Sequence, residues 1–195
     1  LTMENWAKAE EYAKKAQAGY SMLDEDSFLS RTDGFNSIND SWMLAVSYKS
    51  SDPNILDNDG DSSWGAQMII EVSESGCGYA SNYGAPKRID YHLYNTIPDT
   101  DFRKMSFVDF AIDDMSEEEA IEVLSAYSDS PTGLLSTAVS TVSGMVGGLQ
   151  VKFRPKGGEH VNQYAAFTVD VPLMRVEEMI LIEAEAAGMQ NEANG

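Results

Sequence analysis

Between residues 64 and 95 the sequence gathers aromatic rings together with amide and guanidinium groups: Trp64, Tyr79, Asn82, Tyr83, Arg88, Tyr91 and Tyr94. Rings present flat apolar faces, and Asn, Asp, Gln and Arg present directed hydrogen-bonding groups. A ligand with C–H faces and a rim of hydroxyls requires both. Trp64, Tyr79 and Tyr83 are the expected stacking platform, with Asn82 as a polar contact and Arg88 beside it. Gly76, Gly78 and Gly84 allow tight backbone turns in the same stretch. The competing reading is packing, because aromatic side chains are more often buried than functional. Trp6 and Trp42 fall in regular elements and are assigned to packing.

Asp57, Asp59 and Asp61 alternate like the opening of a calcium loop. The glycine stands at Gly60 instead of after Asp61, and the twelfth position is Met68 where a glutamate is needed, which excludes an EF-hand. A solvated acidic turn is the ordinary reading, and a looser calcium site of oxygen ligands is the alternative. No other cofactor is indicated. Cys77 is the sole cysteine, so an intrachain disulfide and a multi-thiolate zinc site are both excluded. His92 and His160 lie far apart and neither accompanies a Ser or Cys nucleophile motif. A glycosidase needs two carboxylates across a scissile bond, and 32 acidic residues leave such a pair open.

The 32 acidic residues face 13 basic ones, a formal net charge of -19. That field repels polyphosphates, so nucleic acid and anionic membrane are poor partners. Neutral ligands do not feel it to first order. No apolar run approaches the roughly 18–20 residues of a membrane span.

Several elements must hold these residues. Trp6, Ala9, Ala13 and Ala16 recur at helical spacing, with Gly19 as the stop. The stretches 42–48, 68–72, 151–153 and 166–170 read as short strands, and 50–63 as turns. Ser116 and Glu119 form a capping box for a helix over 116–127, with Ile121 and Leu124 as its apolar stripe and Pro131 and Gly133 closing the segment. A last helix starts at Pro172, carries Met174, Met179, Ile180, Leu181 and Ala184, and ends at Gly188. The expected class is mainly α with irregular loops and short strands, α+β.

The segment Val171-Pro-Leu-Met-Arg-Val-Glu-Glu-Met-Ile-Leu-Ile-Glu-Ala-Glu-Ala186 resembles the signature helix of the SusD/RagB family, with Arg175, Glu178, Ala184, Glu185 and Ala186 matching. Upstream, Asp90-Tyr-His-Leu-Tyr94 followed by Asp101-Phe-Arg103-Lys104 is similar to the family's Asp-x-Arg pair after a Leu-Tyr segment. Trp6–Ala16 with Gly19-Tyr20 resembles a family helix closing in Gly-Tyr, and Val151-Lys-Phe153 a segment found before the signature helix. The matches follow the family's order along nearly the whole chain. Family chains are longer, so the resemblance makes this one a fragment lacking N- and C-terminal parts, the lipidated N-terminal cysteine among them.

The resemblance implies part of a tetratricopeptide-like helical scaffold, with 1–20 and 172–195 as scaffold helices and 21–171 as a variable insertion that binds ligand. It implies non-catalytic capture of a glycan at the extracellular face of the bacterial outer membrane. The glycan then passes to a TonB-dependent transporter, and membrane association runs through the lipid anchor. Asp101 with Arg103, and Arg175 with a scaffold carboxylate, are expected to be structural ion pairs, as is a structural role for Glu178. A carbohydrate-active enzyme such as a glycoside hydrolase, and a pure protein-interaction module, are the alternatives.

Overall fold

The structure, a computed structural model, describes residues 4–32, 35, 37–49, 64–69, 87–135, 145–159 and 168–193. Among the described residues the helices include α1 (Trp6–Ala16), α2 (Glu25–Leu29), α3 (Trp64–Met68), α4 (Tyr91–Thr96), α5 (Glu117–Leu124) and α6 (Val176–Ala193). Strands β1 (Trp42–Val46) and β2 (Val171–Arg175) form a two-stranded antiparallel sheet. The described residues are mixed α+β and about half helical. The chain divides into two units, one of Leu1–Asp24, Ile38–Val46 and Val171–Gly195, the other of Glu25–Ser37 and Ser47–Asp170.

In the first unit α1 starts at Asn5, whose side-chain oxygen accepts the Lys8 N–H at 3.3 Å. The alanine stripe is its covered face: Ala13 is buried, and Trp6, Ala9 and Ala16 are half-buried. Gly19 ends the segment at φ +88°, where a residue without Cβ is favoured. α1 lies antiparallel on α6: Gln17 donates to Glu183 at 2.7 Å at one end and Gln190 donates to Glu10 at 2.7 Å at the other. Ala13 and the fully buried Ala186 sit between those clasps, and their small side chains permit close approach of the two helices.

Three expectations for the C-terminal element change. Pro172 does not open a helix; it lies in β2 opposite Ala45 of β1. A proline lacks the donor that a helix start wastes and a sheet edge can spare, so the residue fits both places. Pairing with β1 decides for the strand, and Met174 consequently sits in β2 opposite Leu44. Gly188 does not end the helix, which continues to Ala193. The Gln190 side chain, bonded to Glu10 and to the Ala186 carbonyl, holds the chain helical past the glycine.

The second unit is built on Val108, Ile112, Ala120, Leu124, Tyr127, Leu134, Val146, Leu149 and Val151. Residues 148–151 run through its centre, bonded on both sides. Val108 N–H donates to Leu149 O at 2.9 Å and Val151 N–H to Ser106 O at 2.8 Å on one side; Ile89 N–H donates to Gly148 O and Gln150 N–H to Lys87 O, both at 2.9 Å, on the other. The expected strand at 151–153 is therefore absent, and the pairing is two isolated bridges, Arg88 with Leu149 and Phe107 with Gln150. The Ser116–Glu119 capping box is present, and Ala120 and Leu124 are buried while Ile121 is half-buried. Two arginines serve the carbonyls beyond α5: Arg31 donates to Ser125 O at 2.6 Å and the buried Arg154 to Tyr127 O at 2.5 Å.

Other local expectations change in this unit. Pro131 begins a helical turn at 131–135 that buries Leu134, as its fixed φ suits a first helical position. Met68 closes α3 instead of opening a strand, with Ile69 N–H bonded to Gly65 O at 2.8 Å; residues 70–72 lie outside the described residues. Residues 168–170 are not a strand. The strand from Trp42 stops at Val46, and the Tyr48 N–H goes to the Asp170 carboxylate at 2.8 Å.

Candidate functional site

Three Asp-aromatic pairs follow one another in the second unit: Asp90-Tyr91, Asp101-Phe102 and Asp109-Phe110. Each aspartate caps the turn that follows it. Asp90 accepts the His92 and Leu93 N–H groups, Asp101 that of Arg103 and Asp109 that of Ala111. Each ring then occupies the first position of its turn, and Phe110 stands edge-on to both Tyr91 and Tyr94 at 5.1 and 5.4 Å.

Between these turns, α2 and the end of the α5 segment lies a solvent-open cavity of about 270 Å³. Tyr94, Phe102, Met105 and Tyr127 supply its apolar lining, and Glu25, Asp99, Thr100, Asp101, Lys104 and Asp109 its polar lining. The Tyr94 hydroxyl donates to Asp109 at 3.1 Å. Burial, followed by the hydrogen bond and charge of Asp109, pushes the Tyr94 phenol well above its usual range, so it stays a donor. Burial raises Tyr127 as well. Lys104 spans the wall, its ammonium 4.7 Å from the Tyr94 ring centre and 2.7 Å from Asp99. Asp99 is held below the ordinary carboxylate range by that hydrogen bond and by the charge of Lys104, and Asp101 chiefly by its hydrogen bond from Arg103. The cavity thus places the half-buried Phe102 ring, with Tyr94 and Tyr127 buried behind it, next to ionised acceptors.

Of the expected platform, Trp64 is described, and Tyr79, Asn82 and Tyr83 lie outside the described residues, as do Asp57, Asp59 and Asp61. Trp64 is half-buried and meets Phe153 edge-on at 4.8 Å. It ends a row of rings that runs through Phe153, Phe35 and Phe28 to Phe102 in the cavity wall. Lys152 lies over Phe35 in that row, 3.6 Å from its ring centre. Arg88 is committed to backbone, its guanidinium donating twice to Gly147 O, once at 3.0 Å. Among the described residues no group of three or more His, Cys, Asp and Glu is placed to hold a metal ion.

Asp101 and Arg103 form a two-point ion pair, with contacts of 2.8 and 2.6 Å. Arg175 pairs with Glu177 and also approaches Ser41 at 3.4 Å, while Glu178 is exposed. Sequence reading missed Glu25, Asp99, Asp109 and Tyr127 as cavity residues. The repeated Asp-aromatic dipeptide is the signal that could have drawn attention to Asp109, since each copy marks a capped turn with a ring at its mouth. Glu25, Asp99 and Tyr127 carry no such local mark. No helix among the described residues is long and apolar enough to cross a membrane. Compared with known proteins, the chain matches no family model, no curated protein and no solved structure.

Proposed function

We propose that this chain is a non-catalytic glycan-capture protein of SusD/RagB type, acting at the extracellular face of the outer membrane and passing its ligand to a TonB-dependent transporter. The observation that carries the reading is the mixed lining of the cavity. The half-buried Phe102 ring, beside the small exposed parts of the buried Tyr94 and Tyr127, suits the C–H face of a sugar ring, and Asp99, Asp101 and Asp109 suit its hydroxyls. Its volume lies just below the usual range for ligand pockets, about 300–1,000 Å³, which suits one sugar ring with the rest of the glycan outside. The antiparallel pair of α1 and α6 supports the helical-scaffold part of the proposal, with the ligand-binding part in the intervening sequence. Tetratricopeptide-like packing is part of the same proposal.

At Asp99 and Asp101 the cationic partners favour capture over hydrolysis. A glycosidase acid must hold its proton near neutral pH, which requires a raised pKa. Asp99 and Asp101 are both displaced downward by their cationic partners.

The interaction-module reading has one observation in its favour. Leu44 and Met174, register partners in the sheet of the first unit, are 53% and 37% exposed, and Leu181 of α6 is 70% exposed.

The test is affinity electrophoresis against neutral polysaccharides, with Thr100→Trp as a plug on an exposed lining residue and Trp64→Ala and Tyr83→Ala alongside. Retardation by one glycan, lost with the plug and without cleavage products, is the expected result. Released oligosaccharide would convert the reading to an enzyme. Retardation by none, with transporter binding retained, would leave the interaction module.

A further inference from the structure

The ionisable lining of the cavity is unbalanced: four carboxylates, Glu25, Asp99, Asp101 and Asp109, face one ammonium, Lys104. Arg103 neutralises Asp101 from outside the lining. Lys104 shows how these walls treat an ammonium. Its side chain is only 18% exposed, yet its charge rests against the face of Tyr94 and against Asp99, itself 94% exposed. An aromatic face with a carboxylate beside it is the arrangement that compensates an ammonium for lost water. Among the described residues, Glu25 and Asp109 are in no ion pair, so the wall retains uncompensated negative charge after Lys104 has taken its place.

We propose that this pocket selects a ligand carrying a protonated amine, an amino sugar with its nitrogen free, over the neutral N-acylated sugar of the same shape. By the same charge balance it rejects glycans bearing carboxylate or sulfate. The proposal rests on the glycan-capture reading and narrows it to a ligand class. The amine enters beside the rings and takes Glu25 or Asp109 as its counter-charge, in the role that Asp99 plays for Lys104. A charge-assisted hydrogen bond replaces a neutral one, which favours the amine by about tenfold. Acylation removes the charge and adds bulk in a cavity of about 270 Å³. The net charge of -19 adds long-range attraction for cationic oligomers, and this part is screened by salt.

The experiment is calorimetric titration of the full chain, slightly below neutral pH, with three trimers of matched linkage: glucosamine, N-acetylglucosamine and a uronic acid. Glucosamine trimer should bind at least about tenfold more tightly than its N-acetyl counterpart, with the uronate weakest and the preference shrinking as salt is raised. Two variants of exposed or wall residues sharpen the result. Glu25→Gln should reduce the preference. Lys104→Met should increase it, because the substitution removes the resident ammonium and leaves Asp99 available to the incoming amine; loss of a merely structural lysine would not tighten binding of one trimer alone. Equal affinity for the first two trimers, both abolished by Thr100→Trp, overturns the amine preference and leaves glycan capture standing. An amine preference that survives Thr100→Trp overturns the assignment to this pocket. Binding of none of the three overturns glycan capture of these classes and the inference with it.

Discussion

Replacing Gly148 with alanine should be among the most damaging small changes in the second unit, for reasons that can be separated. Gly148 has φ +80°, and an added Cβ would lie 2.5 Å from Cζ of Phe110 and 3.1 Å from the Ile89 carbonyl oxygen. The backbone cannot step aside, because the Gly148 N–H is bonded to Val108 O at 2.7 Å and its carbonyl accepts from Ile89 at 2.9 Å. Left-handed backbone costs an L-residue about 1–2 kcal/mol, and forcing extra volume into a packed site costs about 1–3 kcal/mol. Gly148→Ala should therefore lose about 2–5 kcal/mol, a large part of a typical domain's about 5–15 kcal/mol. Gly157 is the control in the same unit: its φ is +61° and nothing lies within 4 Å of its absent Cβ, so alanine there bears the backbone cost alone. Urea unfolding followed by circular dichroism measures both, and Phe110→Ala combined with Gly148→Ala should lose less than the sum of the single changes by about 1–3 kcal/mol. Because Phe110 packs on Tyr94, ligand binding should weaken in Gly148→Ala as well. If Gly148→Ala and Gly157→Ala cost the same, or the Phe110 cycle shows no coupling, the steric reasoning fails.

Gly188→Ala should stabilise the first unit by about 1 kcal/mol, since Gly188 is an exposed helix-interior glycine with open space at its Cβ position; thermal unfolding with no rise in midpoint would contradict this. Arg154→Met should cost about 1.5–3 kcal/mol by removing a charged donor from the Tyr127 carbonyl at a buried position, whereas Arg31→Met, whose side chain is more exposed, should cost at most about 1 kcal/mol in the same denaturation assay. Glu119 is held below its ordinary 4.5 by hydrogen bonds from Ser116, so the unfolded chain takes up this proton first as pH falls. Its contribution is complete above about pH 5 and is lost progressively below the unfolded value. The stability difference between wild type and Glu119→Gln should accordingly be flat at neutral pH and shrink in acid; a difference that grows in acid would contradict the assignment.

Much of the local structure was legible without coordinates because its causes are local. The Ala13 stripe, the Gly19 stop and the Ser116–Glu119 box depend on residues within a few positions of one another, where side-chain spacing and capping chemistry dominate. Asp101 and Arg103, two residues apart, likewise lie within reach of each other on one turn. What the sequence left undetermined were choices between conformations of similar local cost. Pro172 suits a helix start or a sheet edge equally, and β1, far away in the chain, decided it. Gly188 is a plausible stop until the Gln190–Glu10 clasp carries the helix past it. The cavity belongs to the same class: Glu25, Tyr94, Asp109 and Tyr127 span more than a hundred positions, and only packing of the second unit's core brings them to one wall. Local chemistry sets which turns and helices the chain can form, and burial of the shared apolar core selects among them and assembles the site.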